Sequence, residues 1–329
     1  MTPRARRLSI ALVLLAILIA GISLVVGSRW EAPGAIAAAL TDPDHPLAGI
    51  AQARLDRTLL ALAVGAALAL AGALLQGITR NPLADPGILG INAGASFAMV
   101  VAMAGFGVSS LGAYVAVAFL GAGLALVFVH AVAAIGRDGA TPTTLAICGA
   151  AVTAVLASAT SAVLLLDRQT MESFRFWQVG TVSGRDLSVL GIGAPFLVAG
   201  IVIALLCVRL LDAAALGDDL ARGLGRKTTR DRAVVAVAVI LLAGTATALA
   251  GPIAFVGLLV PHAIRSLAGP GHRALLPLCL LGGAVLTLAA DTIGRIILPP
   301  AEVQVGVMVA LIGGPVFVLL VRGGRTVAL

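Results

Sequence analysis

Residues 76–90 hold most of the polar groups this chain could put to chemical use. Gln76, Arg80, Asn81 and Asp85, with Pro82, Pro86, Gly77, Gly87 and Gly90, stand there between two long apolar runs. A simple anchoring helix needs none of them. Broken, polar backbone at a membrane edge is tolerated only where protein or water satisfies it, along a permeation path or a docking surface. Patterns for covalent chemistry are absent. There is no Gly-x-x-x-x-Gly-Lys-Ser/Thr for a nucleotide's phosphates, no His-Glu-x-x-His for zinc and no Gly-x-Ser-x-Gly nucleophile turn. Cys148, Cys207 and Cys279 each lie in an apolar run, with neither paired nor metal-like spacing, and read as small core residues. His262 follows Pro261 without a second His or Cys beside it, so packing at a helix break is a plainer reading than metal ligation. Met99 and Met103, four apart on one face, read as core- or lipid-facing. No cofactor and no metal is expected.

Ion-driven pumps usually carry Asp, Glu or His in mid-membrane. Here Asp56, Asp85, Asp167, Asp186 and Glu302 fall near the ends of apolar runs. Asp291 lies deeper, with Arg295 one turn later, where two helical side chains meet. A proton or sodium relay has few parts, so energy for transport has to come from elsewhere.

The elements that position these residues follow from composition. Of 329 residues, 60% are apolar and only 11% charged, with a mean hydropathy of +1.10. Soluble domains carry about 25% charged residues. The chain therefore reads as all-α and polytopic, with ten candidate spans at 8–28, 58–78, 91–108, 112–135, 143–166, 189–211, 231–250, 253–268, 275–298 and 303–322. The third and eighth are short or marked by Gly and Pro. Residues 1–329 form one transmembrane domain in this reading. The basic start, Arg4 to Arg7, precedes an apolar run without a small-residue cleavage site and reads as a retained first span. Net charge is +7, but the arginines are scattered over loops, which argues against nucleic-acid binding. With both termini cytoplasmic, fifteen basic residues lie inside and seven outside. Residues 65–72 (GAALALAG) resemble residues 244–251 (GTATALAG) five spans later. An odd shift reverses direction, so this is an inverted internal repeat or a shared small-residue packing face.

The longest inner loop, within 212–230, holds a short amphipathic helix. Asp218 and Asp219 open it, Gly223 and Gly225 end it, and Leu216, Leu220 and Leu224 share one face. Such a helix lies on lipid or inserts into a partner's groove. Phe174, Phe176 and Trp177, after the fifth span, read by default as interfacial anchors, with the lining of an outer vestibule as the alternative.

Together these stretches resemble the permease subunits of binding-protein-dependent ABC importers for ferric siderophores, haem and cobalamin, over the whole chain. The resemblance is carried by Arg54-Leu55-Asp56-Arg57, residues 65–72, 76–90 and 92–96, and by Leu216-Gly217 through Leu224-Gly225. It is carried most of all by Gly251-Pro252-Ile253-Ala254-Phe255-Val256-Gly257 through Pro261-His262 with Arg265, then Asp291 with Arg295, Pro300 to Gly306 and Gly313 to Phe317.

The resemblance implies a type II ABC importer permease fold in a bacterial cytoplasmic membrane, a second permease subunit across a two-fold axis, two ATPase subunits inside and a substrate-binding protein outside. Residues Leu216, Gly217, Asp218, Asp219, Leu220, Ala221, Arg222, Leu224 and Gly225 would couple to the ATPase. Arg54, Arg57 and Arg295 would present outward positive charge to the binding protein. Asn81, Pro82 and Leu83, with Thr141, Pro142 and Thr143, would form the cytoplasmic gate region. Asp56 and Gln304 stand where the family often has Pro, which bears on docking geometry. A ferric siderophore is the preferred cargo, with cobalamin or haem as alternatives. An ion-coupled secondary transporter is the alternative of another class, and the empty charge inventory argues against it.

Overall fold

The computed structural model describes residues 2–27, 29–108, 110–135, 141–223, 225 and 227–322. All regular structure there is helical. In chain order the helices are α1 (Pro3–Val25), α2 (Pro33–Thr41), α3 (Ala48–Thr79), a 3₁₀ turn (Pro86–Leu89), α4 (Ile91–Phe106), α5 (Leu111–Ile135), α6 (Pro142–Leu166), α7 (Arg168–Gln178) and α8 (Leu187–Leu206). There follow α9 (Val208–Ala215), α10 (Asp218–Gly223), α11 (Thr228–Val239), a π-helical turn (Ile240–Gly244), α12 (Thr245–Ala250), α13 (Val256–Ala268), α14 (His272–Gly294) and α15 (Val305–Arg322). Among the described residues, seven helices are long and apolar enough to cross a membrane, and three are shorter and apolar. Each expected span has its helix, and the two expected to be short, α4 and α13, have 16 and 13 residues.

α3 sets the direction of the bundle. Arg57, in its first half, bonds to Ser183. The nearby Thr181 N–H donates to the Ala250 carbonyl at the end of α12. Ile78, in the last turn of α3, shares a crevice with Thr228 and Arg232 at the start of α11. The α11–α12 stretch therefore runs antiparallel to α3. Residues 65–72 and 244–251 are fully buried on these two helices, with the opposed directions that an inverted repeat requires. The end of the bundle holding Arg57 is called the clamp end below, and the end holding residues 212–230 the loop end.

Lipid is as apolar as leucine, so membrane helices associate by close packing of small residues. Gly65 of α3 meets Gly283 of α14, and a Cβ on either would strike the other's carbonyl oxygen. Gly72 abuts the Gly257 carbonyl of α13 in the same way. α3 is thus the buried axis of the bundle. α1 is its opposite: Leu14 and Ile17 are 62% and 66% exposed, an aliphatic face suited to lipid.

Four local features depart from the expected spans. α3 begins at Ala48 rather than 58, because Arg54, Asp56 and Arg57 find partners within the bundle and so stay inside the helix. Residues 168–178, expected as loop, form α7. Its N-cap Asp167 is held below the usual carboxylate range by the Thr170 hydroxyl and the Gln169 N–H. Phe174 and Trp177 are core residues there and only Phe176 is exposed, which corrects the anchoring reading for Phe174 and Trp177. The sixth span breaks at Cys207, separating α8 from α9, and the seventh carries the π turn.

Gly72→Leu is expected to destabilise the protein by more than about 1–3 kcal/mol, the usual cost of overpacking, because the obstacle is backbone. Gly21→Leu on α1, where nothing lies within 4 Å, is expected to be neutral. Denaturation midpoints in one detergent compare the two.

Candidate functional site

At the clamp end a carboxylate lies between two guanidiniums. Arg57 donates through Nε to both oxygens of Asp291 at 3.0 and 2.9 Å, and through Nη2 to Oδ1 at 2.9 Å. Arg295 donates to Oδ2 through Nε at 3.0 Å and Nη2 at 2.5 Å. Forked guanidinium contacts of this kind fix geometry as well as charge. Arg295 also donates to the Ser23 carbonyl at 2.9 Å and the Ser23 hydroxyl at 3.1 Å. Arg54 donates to the carbonyls of Leu24, Val25 and Arg29 at 2.9, 2.8 and 2.8 Å. Two arginines therefore cap the last turn of α1, whose carbonyls have no intrahelical partner and carry the negative end of the dipole. The remaining Arg57 nitrogen, Nη1, reaches Ser183 Oγ at 3.1 Å and Glu302 Oε2 at 2.6 Å. It faces a recess of about 840 Å³ whose rim includes Arg29, Glu31 and Glu302.

These positions revise the expected outward rim. Arg295 is 2% exposed and Arg57 9%, and their charges are met inside the chain. Asp56, expected to add negative charge to that rim, is buried and accepts from Gln52 Nε2. The Asp291–Arg295 pair was legible as i, i+4. Arg57, 234 residues away from Asp291 in sequence, was not assigned to that pair.

The segment 76–90 folds back into the bundle. Gln76 is buried, donates to the Gly257 carbonyl at 3.1 Å and accepts from Arg265 Nη1. Arg80 ends α3 in the left-handed region at φ 53. Asn81 Oδ1 accepts from Leu83 N at 2.9 Å, and Asp85 Oδ1 from Gly87 N at 2.8 Å. The polar residues thus satisfy the broken backbone locally. Pro82 is half-buried and Leu83 exposed. Thr141 caps α6 through Thr144 N at 3.2 Å, with Pro142 in the first helical turn and Thr143 exposed. Asn81, Ala84 and Asp85 share a small pocket with Leu145 and Ala146 of α6, so the two expected gate segments lie close together.

At the loop end, Leu216 and Leu220 are 55% and 62% exposed, while Ala221 is buried. Gly217 and Gly225 have φ of 100 and 78, a region favoured by glycine. Asp219 pairs with Arg222 at 3.5 Å on the exposed side of α10. Leu224 and the side chain of Asp218 lie outside the described residues. The Arg80 guanidinium sits 3.4 Å from where a Gly217 Cβ would be, which joins this loop to the segment 76–90.

A further cleft, of about 920 Å³, was not anticipated. It lies between α4, α6, α7 and residues 252–254, and is lined by Asn92, Ser96, Thr153, Thr160, Ser161, Gln178 and Phe174, without a charged side chain. Thr247 Oγ1 donates to Asn92 Oδ1 at 3.0 Å. The Thr160 and Ser161 hydroxyls donate to carbonyls four residues back at 2.7 and 2.9 Å. The available signal was the recurrence of Thr153, Ala157, Thr160, Ser161 and Leu164 on one face of α6.

A bundle of membrane-crossing helices, with paired charges at one end, a re-entrant polar segment and an uncharged cleft, defines a helical membrane permease. The sequence matches the FecCD transport family over residues 12–323. It is 43% identical over 314 residues to the ferric enterobactin transport system permease protein FepD of Escherichia coli (strain K12), covering 94% of this chain and 93% of the relative. It is 41% identical over 276 residues to the Fe(3+)-citrate import system permease protein YfmD of Bacillus subtilis (strain 168), covering 84% and 82%. Among solved structures, "an inward-facing conformation of a putative metal-chelate type ABC transporter" superposes with a TM-score of 0.85 at 30% identity, covering 95% of this chain and 98% of that one. The chain belongs to the FecCD transport family. It is a permease subunit of an ABC importer of the inner membrane, non-catalytic itself, working with a separate ATPase and a substrate-binding partner.

Asp291→Ala would leave two buried guanidiniums without their anion. It is expected to destabilise the permease by about 3–5 kcal/mol. Glu302→Gln, at a side chain 32% exposed, is expected to change stability by under about 1 kcal/mol. Thermal unfolding in detergent at equal lipid content measures both.

Proposed function

We propose that this permease carries a ferric siderophore into the cytoplasm, driven by ATP hydrolysed on its partner. The observation that carries this reading is the near full-length identity to a ferric enterobactin permease, accompanied by a ferric citrate permease. The uncharged cleft beside α6 is compatible with a bulky chelate that must pass without being retained. Two permease subunits, identical or related, meet around the pathway, and two ATPases dock at the loop end. In this reading the loop end and both termini are cytoplasmic, in keeping with the excess of basic residues there. Residues 212–230 form the coupling region, with Leu216 and Leu220 as apolar anchors entering a groove on the ATPase. Asn81 to Leu83 and Thr141 to Thr143 form the inner gate. The substrate-binding protein docks at the clamp end, where Arg54, Arg57 and Arg295 shape the surface from beneath by holding α1, α3 and α14 in place.

The test is uptake of labelled ferric siderophores, haem and cobalamin into proteoliposomes holding the permease, its ATPase and its binding protein. Ferric siderophore uptake that requires ATP and ignores an uncoupler is expected. Leu220→Asp should lower it at least about tenfold, a loss worth roughly 1.4 kcal/mol of coupling or more. Haem or cobalamin uptake alone would overturn the cargo, and gradient-driven uptake without ATP would overturn the mechanism.

A further inference from the structure

α9 is a short rod between the coupling segment and the bundle. A single residue, Cys207, separates it from α8, with helical hydrogen bonds kept on both sides. At its other end Leu216 and Gly217 lead directly into α10. Ala221 of α10 is buried in a crevice shared with Leu210, Ala213 and Ala214 of α9, so α10 is seated on this rod.

Inside the bundle, α9 meets the N-terminus of α14. Asp212 Oδ1 accepts from the His272 backbone N–H at 3.3 Å and lies 2.7 Å from His272 Nδ1. Gly271, the residue before α14, offers no side-chain cap. Asp212 therefore caps α14 from a different helix, with its carboxylate where the peptide dipoles leave positive charge. Beside them, a Cβ on Gly77 of α3 would lie 2.8 Å from His272 Nε2 and 3.1 Å from a Leu211 methyl. Three helices meet there without slack, and a close-packed contact of this kind transmits displacement rather than absorbing it.

From this joint α3 and α14 run together to the clamp end. Gly65 and Gly283 hold them backbone to backbone midway, and Arg57 and Asp291 hold them beyond. At 1.5 Å per residue, Asp291 lies about 29 Å along α14 from His272. We propose that Asp212 and His272 are positioning residues that pass movement of the coupling segment into the α3–α14 pair, and so to the clamp end, during transport. This rests on the reading of residues 216–225 as the ATPase contact.

The experiment measures siderophore uptake and phosphate release together in the reconstituted complex, so that the readout is cargo moved per ATP hydrolysed. Asp212→Ala is expected to lower that ratio about five- to tenfold, toward the low end of couplings between distant sites, while the complex assembles and hydrolyses ATP. Asp212→Asn keeps an oxygen to accept the His272 N–H and is expected to recover most of the ratio. An unchanged ratio in assembled Asp212→Ala complex, even with less complex formed, would overturn the proposal. Should that variant fail to assemble, His272→Ala tests the joint from the other helix with the same expected loss. A cysteine placed by Leu220→Cys separates the two readings. If it does not cross-link to the ATPase in an actively transporting complex, the coupling-segment reading falls, whatever Asp212 does.

Discussion

One anion organises the clamp end. Asp291 is 1% exposed and faces two guanidiniums that are themselves buried. Desolvating three ions largely offsets their mutual attraction, so such a cluster adds little net stability over an apolar core of equal volume. Its consequence is positional. The carboxylate fixes the orientation of both arginines, and the arginines reach outward from it. Arg295 takes carbonyls at the end of α1, and Arg57 takes Ser183 and Glu302. α1 has an aliphatic outer face toward lipid and no hydrophobic driving force of its own in that solvent. These directed bonds, with close packing on α14, define where it sits. Five segments of chain are thus referred to a single side chain.

The rest of the bundle is held by shape. Glycines at 65, 72, 257 and 283 let α3 approach α13 and α14 until backbones touch. The exposed surfaces then divide by chemistry rather than by amount. α1 and α6 are both little buried. α1 shows Leu and Ile, whereas α6 shows Ser158 and Ser161 among alanines as well as Ile147, Val155, Leu165 and Leu166. The hydroxyls of α6 bond back to carbonyls of their own helix, which lowers the cost of an apolar surrounding.

Much of this fold was legible because the bilayer constrains it so strongly. Runs of apolar residues had to be helices, and their punctuation gave all ten. The helix at 218–223 was legible from its acidic start and its glycines. What could not be read depended on distant partners. The charges of Arg54, Asp56 and Arg57 marked a helix boundary by local rules, whereas partners in α1 for Arg54, in α14 for Arg57 and at Gln52 for Asp56 let α3 continue for 32 residues. The burial of Arg57 escaped for the same reason, since its acid, Asp291, lies 234 residues away, whereas Arg54 stays half-buried at the edge of the recess. Phe174 and Trp177 looked interfacial because they follow the fifth span in a stretch without an apolar run, and only packing of α7 against the bundle buries them. The π turn and the break at Cys207 have no local signature among apolar residues.

Charge placement finally bears on what such a molecule can do. Its ionisable groups cluster at the two ends of the bundle, while the cleft beside α6 has none in its lining. Transport requires a path favourable enough to enter and weak enough to leave. A fixed arginine opposite an anionic chelate would deepen one site and slow exit. Neutral hydroxyl and amide groups give many shallow contacts instead. In the proposed reading, with this cleft on the path, such a lining provides no energy and little selectivity. Both then have to be supplied at the ends, selectivity by a partner that delivers cargo and energy by a partner that binds ATP. An uncharged middle with charge-pinned ends is consistent with that division.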